Sequence, residues 1–240
     1  MKARNKWFSF GVAFLATMLA LILLFQASDH ITTELAVNTS EHFPVIILDA
    51  GHGGEDGGAV GVNGVQEKDL NLSLTQQLAM LLRLEGYTVV ETRNDDRLLY
   101  SADTPKGHKK RSDLVNRLAF TTQYPNSIFI SIHMNTFPDV DCEGVQVWYS
   151  QNDAASKEWA EAVQSHIRQE LQPSNNRKIK AATSSIYLLR HAQTPAILIE
   201  CGFLSTPAEC ERLCDPLYRM QLAAVFFAAI SEKTPLSSCK

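Results

Sequence analysis

Runs of consecutive apolar residues alternate along this chain with segments in which apolar residues recur every three or four positions. Such runs stand at 45–48 and 196–199, and the segment 127–135 is rich in apolar residues. Uninterrupted apolar runs are typical of strands buried on both faces of a parallel sheet, and the longer spacing is typical of amphipathic helices. Since such strands and helices alternate, the pattern predicts an α/β domain with parallel strands.

The boundaries of the predicted elements follow from the same pattern. A helix is expected from Leu70 to Leu82, and Gly86 stands where a C-terminal cap belongs. Thr206 and Pro207 are typical of a helix start, at N-cap and N1. The remaining predictions are strands at 45–48, 87–92, 127–135, 144–149, 186–189 and 196–199, helices at 111–124, 154–171 and 217–230, and a surface loop at 93–110.

The N-terminus has a different pattern. Three basic residues within 1–6 precede an uncharged apolar run at 7–25, which is about the length that crosses a bilayer as a helix. Basic residues before such a run hold the N-terminus in the cytoplasm, so the rest of the chain is expected outside. Residues 1–27 are predicted to be an uncleaved signal anchor, because the run is long and Phe25-Gln26-Ala27 lacks small residues at both cleavage positions. A cleaved signal peptide is the alternative. Residues 28–43 are predicted to be a linker, 44–232 the folded domain and 233–240 a tail.

Composition narrows the class of protein. The 240 residues, 45% of them hydrophobic and 20% charged, are enough for one α/β domain with a full core. The net charge of -4, without a basic stripe, gives no reason to expect nucleic acid as a partner. The cysteines are odd in number and form no CxxC, so they are predicted to be free or packed thiols, with a disulfide left open.

Polar side chains occur where the predicted strands end. The strand at Val45 runs into a glycine-rich loop that carries His52, the strand 127–135 carries His133, and Glu200 follows the strand 196–199. Ligands collect at the carboxyl ends of parallel strands. Glu67 opens the helix after the first loop. The loop lacks the GxGxxG and GK[ST] patterns, which argues against a nucleotide phosphate as its ligand.

These four side chains form a set with a specific chemistry. Two imidazoles and one carboxylate are ligands that zinc accepts, with a fourth position left for water. A second carboxylate is needed to take a proton from the attacking water and pass it to the leaving group. The sequence therefore predicts a hydrolytic site with one Zn²⁺ per chain.

Four stretches follow one another along the chain, LDAGHGGEDGGAVG, QEKDLNL, SIHMN and PAILIECGFLS. They resemble the signature motifs of the zinc-dependent N-acetylmuramoyl-L-alanine amidases of the amidase type 3 family, and the resemblance covers nearly all of 45–230 in the right order and spacing. It implies a three-layer α/β sandwich around a mostly parallel twisted sheet. It also implies that His52, Glu67 and His133 bind zinc and that Glu200 is the catalytic general base.

The family reaction implied is hydrolysis of the amide between the lactyl group of N-acetylmuramic acid and the first L-alanine of the peptidoglycan stem peptide. Two positions depart from the usual motifs, Ala50 in place of proline and Cys201 in place of threonine or serine, and neither is an expected ligand. Cys201 as a nucleophile is a weaker alternative. Asn135 and Arg190 are expected to orient substrate, with plain surface polarity as the alternative for each.

The arrangement of one membrane segment and one catalytic domain resembles the germination-specific, spore-cortex branch of the family, in which stripped muramic acid becomes muramic δ-lactam. A vegetative wall amidase, a zinc peptidase acting within the stem peptide and a non-catalytic peptidoglycan-binding module are the alternatives. The expected location is extracytoplasmic, membrane-anchored or secreted. The expected partners are peptidoglycan, the membrane and an activating or recruiting protein.

Overall fold

The computed structural model describes residues 44–139 and 141–234. The predicted membrane segment, the linker and all but the first two residues of the predicted tail lie outside these ranges. Among the described residues, no single helix is long and apolar enough to cross a membrane, and only two consecutive helices taken together, bent by 83°, pass such a test.

Strands and helices alternate through the described ranges. The strands are β1 (Val45–Ala50), β2 (Val89–Glu91), β3 (Ser127–Asn135), β4 (Gln146–Tyr149), β5 (Lys180–Ala181) and β6 (Ala196–Phe203). The helices are α1 (Glu67–Glu85), α2 (Lys109–Gln123), α3 (Ala155–His166) with a π-helical continuation (Ile167–Leu171), α4 (Tyr187–His191), α5 (Pro207–Cys214) and α6 (Pro216–Lys233).

The six strands form one mixed sheet in the order β2-β1-β3-β6-β4-β5. The first four strands in this order are parallel, β4 runs antiparallel to β6, and β5 runs parallel to β4. The central strands β1, β3 and β6 are nearly all buried, because each is covered on both faces. The predicted mostly parallel sheet is confirmed.

Successive residues of the central strands face two different hydrophobic clusters. Ile46 and Leu48 pack in the larger cluster, together with the leucines of α1 and the apolar residues of α3 and α6. Ile47 packs in the smaller cluster, with residues of α2 and α4. Helices therefore cover both faces, which confirms the three-layer α/β fold and the helical spacing predicted for these segments.

One predicted strand is wrong. Residues 187–189 belong to α4 and Ile186 is its N-cap; the Arg190 N–H donates to the Ile186 carbonyl at 3.0 Å and the Ala192 N–H to the Leu188 carbonyl at 2.9 Å. A run of four apolar residues is too short to separate strand from helix by periodicity. The helix is favoured here because Leu188 and Leu189 both bury against the smaller cluster.

Several boundaries differ from the expectations. The predicted strand 87–92 forms pairing only at Val89–Glu91, and the predicted helix 154–171 ends in a π-helical turn. The segment 93–108 lies outside regular structure, as predicted, but its first residue, Arg93, is 1% exposed and is not on the surface. Gly86 caps α1 in the left-handed conformation, as predicted. The four described cysteines are free thiols.

Candidate metal centre

Three different elements bring His52, Glu67 and His133 together. His52 lies two residues beyond β1, Glu67 is the first residue of α1, and His133 lies near the end of β3. One nitrogen or oxygen atom of each lies within 4.8 Å of the others. His52 Nε2 is 3.2 Å from Glu67 Oε2, and His133 Nδ1 is 2.9 Å from Glu67 Oε1.

The Glu67 carboxylate is held in place by the backbone and by a neighbour on its own helix. Its Oε1 accepts from the Met134 N–H at 3.0 Å and from Asn71 Nδ2 at 3.2 Å, and its Oε2 accepts from the Ala59 N–H at 2.8 Å. Burial raises its pKa, but the hydrogen bonds and charges of the two histidines outweigh burial and hold the pKa well below its usual range. Glu67 is therefore an anion, as a carboxylate ligand of a metal ion must be.

At two positions the loop that carries His52 leaves no room for a residue larger than glycine. His52 itself has a left-handed backbone with φ 61°, and a Cβ at Gly51 would lie 2.2 Å from the His133 ring. A Cβ at Gly58 would meet Glu67 Oε2 at 2.6 Å. Gly51 and Gly58 therefore let the loop backbone approach the side chains of His133 and Glu67 closely.

A buried polar cluster fixes the end of β1 below this loop. Asp49 accepts from the hydroxyls of Thr92 at 2.7 Å and Ser131 at 2.6 Å, and from Arg117 Nη1 at 2.7 Å. Arg117 also donates to the carbonyl of His52 at 2.6 Å. Burial raises the Asp49 pKa, but the Arg117 guanidinium and the two hydroxyls outweigh burial and hold the pKa below its usual value. The cluster ties α2 to the residue that carries the imidazole.

Glu200 lies beside the three-residue group but is not hydrogen-bonded to it. It pairs with His133 across β3 and β6, so both side chains leave the same face of the sheet. Its Oε2 is sealed from solvent and has no hydrogen-bond partner among the described residues. Burial raises the pKa of Glu200 to about 7, and Glu67 adds to this shift, while His133 and His52 oppose it. A carboxyl group whose pKa lies near neutral pH is suited to proton transfer.

The four residues expected at the site therefore lie together, with one correction. Glu200 stands inside its strand and not beyond it, because β6 continues to Phe203, whereas His133 lies within β3, which has the predicted bounds 127–135. Asn135 is half-buried two residues from His133, after a register shift in β3.

Arg190 lies elsewhere. It is exposed on α4, and among the described residues no hydrogen bond or ion pair joins its side chain to the four. The substrate-orienting roles of Asn135 and Arg190 stay predictions.

Cys201 is in the wrong place for a nucleophile. It is fully buried in the larger hydrophobic cluster, and residues alternate along β6, so it leaves the face opposite to Glu200. Burial also raises the pKa of its thiol well above the usual value, whereas a reactive cysteine needs a lowered pKa.

Sequence reasoning missed the polar residues that hold the four in place. Asn71 is fully buried and bridges Glu67 to the carbonyl of Gly51. The signal for it was a polar residue four positions after Glu67, on the leucine face of α1. Arg117 contacts the carbonyl of His52 and Asp56 contacts its imidazole. In the sequence, nothing beyond the polarity of these two residues indicated that they would do so.

The three residues fit a divalent metal ion. Ligands of a tetrahedral zinc ion, with bonds of 2.0–2.1 Å, lie roughly 3.4 Å apart. Here the two imidazole nitrogens lie 3.2 and 2.9 Å from the two different oxygens of Glu67, and one donor atom of each residue lies within 4.8 Å of the others. Beside them, the buried Oε2 of Glu200 has no hydrogen-bond partner among the described residues and therefore needs a further polar group. Fold and site together define an α/β protein with a candidate metal centre and an adjacent carboxylate at the carboxyl end of its central strands.

Comparison with known proteins identifies the family. Residues 46–232 match the family model Amidase_3, N-acetylmuramoyl-L-alanine amidase, and the chain belongs to this family of cell-wall enzymes. A germination-specific N-acetylmuramoyl-L-alanine amidase of Bacillus subtilis (strain 168) is 32% identical over 232 residues, which are 96% of this chain and 95% of that protein.

Solved structures show the same fold. The CwlD amidase from Clostridioides difficile, in complex with the GerS lipoprotein, is 36% identical with a TM-score of 0.75, over 79% of this chain and 97% of that one. An N-acetylmuramoyl-L-alanine amidase from Clostridium difficile 630 is 30% identical with a TM-score of 0.68, over 79% and 95%.

Proposed function

We propose that this amidase uses zinc to hydrolyse the amide between the lactyl group of N-acetylmuramic acid and L-alanine in peptidoglycan. The observation that supports this most directly is the grouping of His52, Glu67 and His133 within 4.8 Å, beside the Glu200 carboxylate, whose Oε2 has no partner among the described residues. Membership of the amidase family supports the bond and the substrate.

Each residue of the group has a separate task in this proposal. His52, Glu67 and His133 would hold the ion, and Glu67 is already ionised for it. Zinc in this position polarises a carbonyl oxygen and lowers the pKa of water. Glu200 accepts the proton of the attacking water and delivers it to the alanine nitrogen as that bond breaks. Asn135 and Arg190 are proposed to orient the glycan or the stem peptide.

The test is mass spectrometry of purified peptidoglycan digested with the full chain, either with zinc or with a chelator. We expect intact stem peptides with free L-alanine N-termini, and no release in the chelator. Fragments with new internal amine termini would instead indicate a peptidase. Absence of release from a zinc-loaded protein, even with a wall extract added to supply a missing activator, would favour a binding module.

We further propose that the substrate is the spore cortex, where removal of the stem peptide precedes formation of muramic δ-lactam. The near-complete mutual coverage with a germination-specific amidase supports this reading over a vegetative role. Deletion of the gene in its source organism should remove muramic δ-lactam from the cortex. Normal δ-lactam content together with a defect in vegetative wall turnover would favour the vegetative alternative.

The proposed location is extracytoplasmic, with residues 1–27 as a membrane anchor or a cleaved signal peptide. Carbonate extraction of membranes distinguishes the two, since only the anchor keeps the protein in the pellet. A separate protein is proposed to activate or recruit the enzyme, and the solved complex of a similar amidase with a lipoprotein supports this. Full activity of the purified chain on isolated sacculi would contradict it.

A further inference from the structure

The imidazole of His52 is held between two carboxylates. Asp56 Oδ2 lies 3.0 Å from Nδ1 on one side of the ring, and Glu67 Oε2 lies 3.2 Å from Nε2 on the other side. Only the second of these faces the candidate metal centre. The two nitrogens of this histidine therefore have different surroundings, and the outer one has a carboxylate of its own.

Asp56 is itself fixed from three directions. Its backbone N–H and carbonyl exchange hydrogen bonds with those of Gly53, both at 3.0 Å. Its Oδ1 accepts from the Gly58 N–H at 3.2 Å, and Lys110 Nζ on α2 lies 3.2 Å from its Oδ2. The carboxylate is thus placed by the loop and by a neighbouring helix, independently of His52.

The chemistry of this contact selects one form of the imidazole. An ionised carboxylate only accepts hydrogen bonds, so the proton must be on Nδ1 of His52. Glu67 faces Nε2 in the same way and accepts a hydrogen bond from it as long as no cation stands between them. In the neutral ring that binds a metal ion, the proton stays on Nδ1 and the lone pair is on Nε2. Second carboxylates of this kind orient histidine ligands and raise their basicity in many metal sites.

We propose that Asp56 is a positioning residue that holds His52 in the Nδ1–H tautomer and so presents Nε2 to the metal ion. This inference rests on the proposed zinc site. It distinguishes the two histidines, because His133 turns its Nδ1 toward Glu67. The two imidazoles would therefore bind the same ion through different nitrogens.

The test compares zinc affinity of full-length variants by competition with a chromophoric chelator. Asp56→Ala should bind zinc about 10–100-fold more weakly. Asp56→Asn should recover most of the loss, since its amide oxygen also accepts from Nδ1. The matched control is Glu55→Ala, which removes a neighbouring acid of the same loop whose partner is Lys109 and not His52. Its affinity should stay within about twofold of the wild type.

The tautomer is read in the wild-type protein by the ¹⁵N shifts of the His52 ring, so this arm does not depend on the folding of a variant. We expect a protonated Nδ1 and a metal-bound Nε2. Turnover at saturating zinc should fall far less in Asp56→Ala than zinc affinity does. Metal on Nδ1 of His52, or unchanged affinity in folded Asp56→Ala, would overturn the inference and leave the amidase proposal intact. A wild-type protein without zinc affinity would overturn the proposed zinc site itself.

Discussion

At the scale of single residues, Glu200 is the side chain on which the proposed chemistry depends most. A sealed carboxylate oxygen without a hydrogen-bond partner is costly unless a ligand or water satisfies it. Glu200 pairs with His133 across β3 and β6, so a ligand or water molecule hydrogen-bonded to Glu200 would lie next to the candidate metal centre. The residue is more consistent with a proton carrier than with a structural contact.

Glu200→Gln should keep metal binding and lose turnover. The amide has the same shape but cannot accept the proton, and general base catalysis contributes about 10²–10⁴-fold. The measurements are kcat on purified peptidoglycan and zinc content by mass spectrometry. Glu143→Gln, at a carboxylate that is 65% exposed, is the control and should keep full activity. Retention of near wild-type turnover in Glu200→Gln would exclude Glu200 from the mechanism.

Gly51→Ala should disturb the metal centre with little other change. The added Cβ would lie 2.2 Å from the His133 ring, which must then move. We expect weaker zinc binding in the chelator competition, while circular dichroism remains that of a folded protein. Gly64→Ala is the control: its backbone is left-handed with φ 85°, but no atom lies within 4 Å of the new Cβ. It should lose stability and keep zinc affinity, and an equal loss of affinity in both variants would contradict the steric explanation.

At the scale of elements, the site depends on the contacts between α2 and the carboxyl end of β1. Arg117 on α2 reaches Asp49, Ala50 and His52, all at the end of β1 or in the loop beyond it. Both members of the Arg117–Asp49 pair are almost completely buried. Removing one charge of a buried pair leaves the other uncompensated, which costs far more than an exposed pair contributes.

Arg117→Met should lower the free energy of unfolding by about 3–5 kcal/mol, because Asp49 remains as an unpaired buried charge. Urea denaturation measures the change. Arg97→Met removes the exposed pair with Asp95 and should cost about 0–1 kcal/mol. Similar costs for the two variants would show that the buried pair is not needed for stability.

The buried pair of Asp49 and Arg117 also predicts that the stability of the protein depends on pH. The folded state lowers the Asp49 pKa, so near pH 4 the unfolded chain binds more protons than the folded one. The contribution of Asp49 to stability is complete above its unfolded pKa of about 3.9 and is lost as the pH falls through the lower folded pKa. Urea unfolding between pH 7 and pH 3 should therefore show a shallower decline for Asp49→Asn than for the wild type. Parallel curves would contradict this.

At the scale of the whole molecule, the sheet brings distant parts of the chain to one edge. The candidate ligands come from the loop after β1, the start of α1 and the end of β3, and Glu200 comes from β6. A metal ion bound by three of these segments would be held only in the folded state, so its binding free energy would add to stability.

Zinc should accordingly raise the thermal midpoint of the protein. At about 100 times the dissociation constant the stabilisation is about 2.7 kcal/mol, which for a domain of this size corresponds to roughly 5–10 °C. Differential scanning fluorimetry with zinc and with chelator measures the shift. His52→Ala should reduce it strongly, whereas His191→Ala, at an exposed residue of α4, should not. An equal shift in His52→Ala would contradict its role as a ligand.

The sequence by itself determined the class of fold and the residues of the candidate site. Apolar runs such as 45–48 and 196–199 identify strands because burial on both faces requires apolar residues at successive positions, and leucine spacing identifies α1 because a helix buries one face. His52, Glu67, His133 and Glu200 were recognisable because their motifs have a specific order along the chain.

The tertiary structure alone decided the features that depend on neighbours far away in the sequence. Residues 187–189 are helical, with Ile186 as the N-cap, because packing against the smaller cluster outweighed a weak local preference. Arg117, Asn71 and Asp56 acquired their contacts only when α1, α2 and the first loop came together at the end of β1. The tertiary structure likewise decides which nitrogen of His52 faces the candidate metal centre. The sequence shows that a histidine is present, but not that Asp56 lies against its Nδ1.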